Sequence, residues 1–105
     1  MVFKIEYSEQ AAVDLADIIR YLTDELYNLQ AAERFYNVVS EKLGFLRDNP
    51  YIYPLHHDEK LRTEEYHFVV IGNYSIFYLI HDDSSIVSIA RIVFGGRDLS
   101  AVFEE

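Results

Sequence analysis

Asn73-Tyr74-Ser75-Ile76-Phe77-Tyr78, followed by Ile89-Ala90-Arg91-Ile92-Val93-Phe94-Gly95-Gly96-Arg97-Asp98, is the part of this chain from which the rest can be read. The first run belongs to a stretch, Tyr74–His81, that is apolar on both faces, as expected of a central strand. The second is another β-rich run that ends in two glycines and an arginine. The glycines let the backbone turn sharply and leave Arg97 uncrowded. Its guanidinium can hold a phosphate or carboxylate through two parallel hydrogen bonds, or it can pair with Asp98 or a helix carboxylate of its own chain.

Working outward, Tyr66–Ile71 is a third β-rich run, and Gly72-Asn73 separates it from the central one. Asp82-Asp83-Ser84-Ser85 separates the central run from Ile86–Phe94. Such punctuation predicts two hairpins. A two-residue turn at Gly72-Asn73 would pair Ile71 with Tyr74. A three-residue turn would pair Val70 with Tyr74, with Asn73 in the left-handed region that it tolerates. Only the second puts His67 and Val69 on one face with Ser75 and Phe77, because a slip of one residue reverses every side chain. The three-residue turn is the expectation.

Further upstream, Phe3, Ile5 and Tyr7 alternate with Lys4 and Glu6, the pattern of a half-buried strand. Ser8 can cap a helix in which Ala11, Leu15, Ile18, Leu22 and Leu26 recur at spacings of three and four, with Asp14, Asp17 and Asp24 off the stripe. Asn28 breaks or caps the chain. A second helix carries Ala32, Tyr36, Val39, Leu43 and Leu46 on one face, and Pro50 ends it through the geometry it imposes on Asn49. Residues 50–65 read as irregular. The order is β-α-α-β-β-β, an α+β domain spanning 1–105 in which a helical hairpin packs on an antiparallel sheet.

Composition narrows the function. Half of the 105 residues are apolar and the net charge is −9, so direct binding of free nucleic acid is not expected. The acidity is uneven: residues 1–59 carry a balance of −6, whereas residues 60–97 balance to zero. No apolar run reaches the roughly 20 residues that span a bilayer. The opening Met1-Val2-Phe3-Lys4-Ile5 has no signal-peptide layout, and a cytoplasmic protein is expected. Without cysteine there is no thiolate chemistry. No phosphate-binding loop or dinucleotide fingerprint occurs, and no cofactor is expected. His56-His57-Asp58-Glu59 has metal-ligand residue types, but adjacent side chains rarely converge on one ion, so no metal is expected.

The order of elements, together with Gly72-Asn73-Tyr74-Ser75-Ile76-Phe77-Tyr78 and the ending Phe94-Gly95-Gly96-Arg97-Asp98, resembles the RelE/ParE superfamily of type II toxins, and is closer to ParE-like members. The resemblance implies a growth-inhibiting toxin of the plasmid-stabilisation type, held in check by a cognate antitoxin. ParE-like members poison DNA gyrase, and RelE-like members cut mRNA on the ribosome. On this resemblance the strand arginine of the RelE-like enzymes corresponds to Ser75, their paired lysines to His67 and Val69, their C-terminal tyrosine to Phe103, and their late arginine to Arg97. Most of the RNase set is thus absent, and binding of a protein target such as gyrase is expected through Arg97, Arg91 and Ser75. The alternatives are a divergent ribosome-dependent endoribonuclease built on Arg97, His67 and Arg62, or a decayed toxin that retains only antitoxin binding. The hairpin stripe of Ile18, Ile19, Leu22, Tyr36 and Val39 is the expected antitoxin surface.

Overall fold

The computed structural model describes residues 2–104. Its elements are β1 (Lys4–Tyr7), α1 (Glu9–Arg20), a π-helical turn (Tyr21–Glu25), α2 (Leu29–Leu46), α3 (Glu59–Thr63), β2 (His67–Ile71), β3 (Tyr74–His81), β4 (Ile86–Phe94) and α4 (Leu99–Val102). The α+β order read from the sequence is the observed one. Two short helices, α3 and α4, add to it in stretches that carry no apolar periodicity.

Each helix begins where a side-chain oxygen meets an otherwise unpaired N–H. Ser8 accepts from Ala11 N and Asn28 from Ala31 N. Asp58 accepts from Leu61 N and Asp98 from Ser100 N. Ser8 also donates its hydroxyl to the Ala90 carbonyl at 2.9 Å, which fixes the start of α1 against β4.

The sheet order is β1-β4-β3-β2. β2, β3 and β4 are antiparallel neighbours, but β1 pairs with β4 in parallel, so the sheet is mixed rather than wholly antiparallel. β1 and β4 are far apart in sequence, and the helical hairpin lies between them as part of the crossover. β1 covers β4 only over Ile86–Ile89.

The sheet is covered on both sides. On the hairpin side, Val39, Leu43 and Leu46 of α2 and Ala11 of α1 pack against Val69, Ile71, Ile76, Tyr78, Val87, Ile89 and Ile92. On the other side, Leu61 of α3 and Val102 of α4 pack on Phe77 and Val93, with Tyr66, Phe68, Leu99 and Phe103 around them. This second, smaller core explains why β3 is apolar on both faces.

Three local features depart from the simple patterns. Ile71 pairs directly with Tyr74, so the Gly72-Asn73 turn has two residues and not three. Gly72 takes φ +58°, and a glycine with positive φ at the first central position is what closes a two-residue hairpin. The register therefore sets His67 and Val69 opposite to Ser75 and Phe77. Secondly, Leu26 N bonds to Tyr21 O, five residues back, and this wider turn throws Leu26 out of the apolar stripe, leaving it half exposed. Thirdly, the β3–β4 register steps from Phe77↔Arg91 to Tyr78↔Ile89, so that Ala90 bulges. Such a bulge re-aims the side chains that follow.

Candidate functional site

Two features stand out: a groove on the helical hairpin and a recess at the end of β4.

The groove runs between α1 and α2 and reaches Tyr7 of β1. Ala12, Leu15, Ala16, Ile19, Leu29 and Tyr36 give it an apolar floor and walls, and its volume is about 920 Å³. Small residues on α1 leave room that larger ones would fill. Of the five stripe residues expected to meet an antitoxin, Ile19 and Tyr36 line this groove, and Tyr36 is 54% exposed. Ile18 packs partly against the core and borders a different notch, with Tyr21, Tyr74 and Phe94. Leu22 is half-buried. Val39 is 0% exposed and belongs to the core. It offers no surface to a partner, because the α2 face that contains it is turned onto the sheet.

The recess lies beneath the Gly95-Gly96 corner. It is small, about 170 Å³, and is lined by His56, Ser75, Arg97 and Gly96 among apolar side chains such as Phe77 and Val93. Gly95 N donates to the Asn73 carbonyl at 2.6 Å, and a Cβ on Gly95 would stand only 3.1 Å from that oxygen. A side chain at Gly95 would therefore crowd the Asn73 carbonyl unless the turn gave way by a few tenths of an ångström. Gly96 takes φ +91°, a conformation other residues avoid. Asp98 does not pair with Arg97. Its carboxylate accepts from Ser100 N and Ser100 Oγ at the start of α4, and those bonds hold its pKa below the usual carboxylate range. The Arg97 side chain is exposed and makes no hydrogen bond among the described residues.

The recess brings Ser75 and Arg97 together but leaves out the other candidates. His67 is on the opposite face of the sheet, as the two-residue turn dictates. It is buried, its Nδ1 donates to the Tyr53 carbonyl at 2.8 Å, and its ring stacks on Tyr78. A composite His67–Ser75 site is therefore ruled out by geometry. Arg62 is exposed on α3 and does not line the recess. Phe103 packs against Phe77 and Tyr66.

Arg91 is committed inside the molecule. Its Nε and one terminal nitrogen donate to Asp14 at 2.8 and 3.0 Å, and its other terminal nitrogen donates to the Val102 carbonyl at 2.9 Å. Asp14 also accepts from Ile92 N on the stretch of β4 that β1 does not cover. Burial alone would raise the Asp14 pKa. The bonds from Arg91, Ile92 N and Gln10 outweigh burial and hold it below its ordinary value.

The imidazole that reaches the recess is His56, which the sequence shows only as part of a polar loop. It is 5% exposed, stacks on His57 and meets Phe68 and Phe77. Its Nδ1 accepts from Asp58 N at 3.0 Å, so the neutral ring carries its proton on Nε2. Burial, then the neighbouring His57, press its pKa below the usual histidine value, against an opposing pull from Asp58. Among the described residues, no group of three or more histidine or acidic side chains could hold a metal ion. Nor is any helix long and apolar enough to cross a membrane.

A helical hairpin laid across a β1-β4-β3-β2 sheet, with a Gly-Gly-Arg corner after the last strand, is the build of a RelE/ParE-type toxin. The family described as the ParE toxin of the type II toxin–antitoxin system, parDE, matches over residues 5–99, and the chain belongs to it. Among solved structures, one of the chromosomal ParDE toxin–antitoxin system from P. aeruginosa aligns with a TM-score of 0.70 at 14% identity, covering 90% of this chain and 97% of that one. The RelBE2 toxin–antitoxin complex from Mycobacterium tuberculosis aligns with a TM-score of 0.62 at 20% identity, covering 90% and 99%. Both likenesses are of fold. No curated protein matches the chain by sequence.

Proposed function

We propose that this ParE-family chain inhibits growth by gripping a protein target, DNA gyrase being the target its family resemblance suggests, and that a cognate antitoxin holds it in check in the cytoplasm. The recess carries this reading. Among the described residues its one cation is Arg97, and its one imidazole has Nδ1 occupied by Asp58 N and Nε2 already protonated. A group in that state donates a hydrogen bond and does not take a proton from a ribose hydroxyl. Cleavage of RNA needs a base and several cations around the developing charge, whereas one free arginine on a rigid corner suits a contact with a protein. The net charge of −9 also disfavours the ribosome's RNA as the surface engaged.

The antitoxin half of the reading rests on the groove. An apolar trough between two helices receives an apolar segment of a partner, and a stable pairing would bury about 1,000 Å² or more. The solved structures that share the fold are of toxin–antitoxin systems.

The test is induction of the chain without its antitoxin, scoring the DNA-damage response against translation arrest, with gyrase supercoiling assayed on purified protein. DNA damage and inhibited supercoiling support the reading. Translation arrest with gyrase untouched replaces it by the ribosome-dependent nuclease. Absence of any arrest identifies a decayed toxin.

A further inference from the structure

The recess at the end of β4 has a one-sided chemistry. Ser75 Oγ, Gly96 N and His56 Nε2 have no hydrogen-bond partner among the described residues, and the Arg97 guanidinium beside them is unpaired. Among the described residues no acidic side chain lines the space, although the chain as a whole is acidic. His56 contributes one of these donors: it borders the recess, its Nδ1 is taken by Asp58 N, and its Nε2–H stays open to solvent, since among the described residues no buried side-chain nitrogen or oxygen lacks a partner. Such a set of donors is complementary to an oxygen acceptor that carries charge.

We infer that the recess binds a carboxylate: an acidic side chain or a chain terminus presented by a protein. A neutral His56 and one arginine supply a single positive charge, which matches one carboxylate. Phe77, Val93 and Leu99 wall the space with apolar surface, which suits a carboxylate on a short aliphatic stem. Arg97 meets the two oxygens in bidentate fashion. Ser75, Gly96 and His56 are available for the remaining lone pairs. This inference deepens the reading that this end of the sheet meets a protein target, and names the group on the target that it recognises.

The experiment is an NMR titration of the full-length purified protein with sodium propionate at constant ionic strength, with dimethyl phosphate as the phosphodiester probe. Propionate is expected to give saturable shifts at the His56 ring and the Gly96 amide. In Arg97→Gln the dissociation constant should rise about tenfold, the loss of one charge-assisted pair. Ser75→Ala, which removes a hydroxyl with no partner among the described residues, should weaken binding by a smaller factor. Dimethyl phosphate should bind at least about tenfold more weakly than propionate. Absence of saturable shifts, unchanged affinity in both variants, or equal or tighter binding of dimethyl phosphate overturns the inference. Because the titration needs no toxicity, its failure is distinguishable from failure of the growth-inhibition reading.

Discussion

Arg91 and Asp14, 77 residues apart in the chain, meet in a two-pronged ion pair at the edge of β4, where β1 has already ended. The same guanidinium reaches the Val102 carbonyl. One side chain thus ties the first helix, on one face of the sheet, to the last helix, on the other. Asp14 supplies the Ile92 N–H with the partner that a further strand would have given.

Breaking this clasp from either end should destabilise the fold. Asp14→Ala strands a largely buried guanidinium, and Arg91→Ala strands a largely buried carboxylate. Each should cost about 3 kcal/mol in urea unfolding. The double variant should lose less than the sum of the two. Full additivity would show that the groups do not act on each other.

Asp14 and His56, two of the groups with depressed pKa values, make stability depend on pH. Asp14 is held below its ordinary value, so the unfolded chain takes up the proton more readily. Stability from this group is complete above about pH 4 and is lost as pH falls through the folded value. His56 is also depressed, so its contribution is intact above about pH 6.5 and declines as pH falls toward its folded pKa. Ring-proton NMR should show His56 titrating below the ordinary histidine midpoint. Asp14→Asn should flatten the acid limb of the stability curve. A His56 midpoint at or above 6.5 would contradict the burial described.

The β2–β3 turn distinguishes its two residues. Gly72 carries the positive φ, so Gly72→Ala should cost about 1 kcal/mol, whereas Asn73→Ala should change little. Thermal melts of the two variants decide it. The reverse order of effects would restore a turn in which Asn73 bears the left-handed conformation.

On the hairpin, surface and core positions should separate. Ile19→Glu and Tyr36→Ala should weaken antitoxin capture in co-expression pull-downs while leaving the melting temperature nearly unchanged. Val39→Ala should destabilise by about 2 kcal/mol without acting on the groove directly. Undiminished capture by Ile19→Glu would move the antitoxin away from the groove.

Arg97→Ala removes an exposed side chain with no partner among the described residues, so stability should shift by less than about 0.5 kcal/mol. Growth arrest on induction should nevertheless fall at matched soluble protein levels. Equal arrest by both proteins would remove Arg97 from the target contact.

How far the sequence could be read depended on how local the deciding interaction was. Helices and strands were legible because apolar spacing reports the face of an element directly, as at Ala32, Leu43 and Leu46. The caps at Ser8 and Asn28 were legible for the same reason. The face occupied by His67 was not, since it turned on which of Gly72 and Asn73 adopts positive φ, and either residue type can do so. Leu26 was misplaced because a π-helical turn leaves no spacing signature before the backbone is known. Asp14 counted as a polar position off the helix stripe, since its value depends on Arg91, far along the chain. His56 hid in a polar run because nothing local shows that Phe68 and Phe77 enclose it.

The place of β4 in the sheet also orders events during synthesis. β1 and Asp14 are made long before their partners, Ile86–Ile89 and Arg91. Translation proceeds at about 5–20 residues per second, so the opening strand waits several seconds for the strand beside it. Until β4 has emerged, β3 lacks its neighbour on one side, and the corner that presents Arg97 does not exist. The end of the sheet that carries Arg97 is therefore assembled only after β4 is made, so a partner recruited at the ribosome would meet the helical hairpin before it met the arginine.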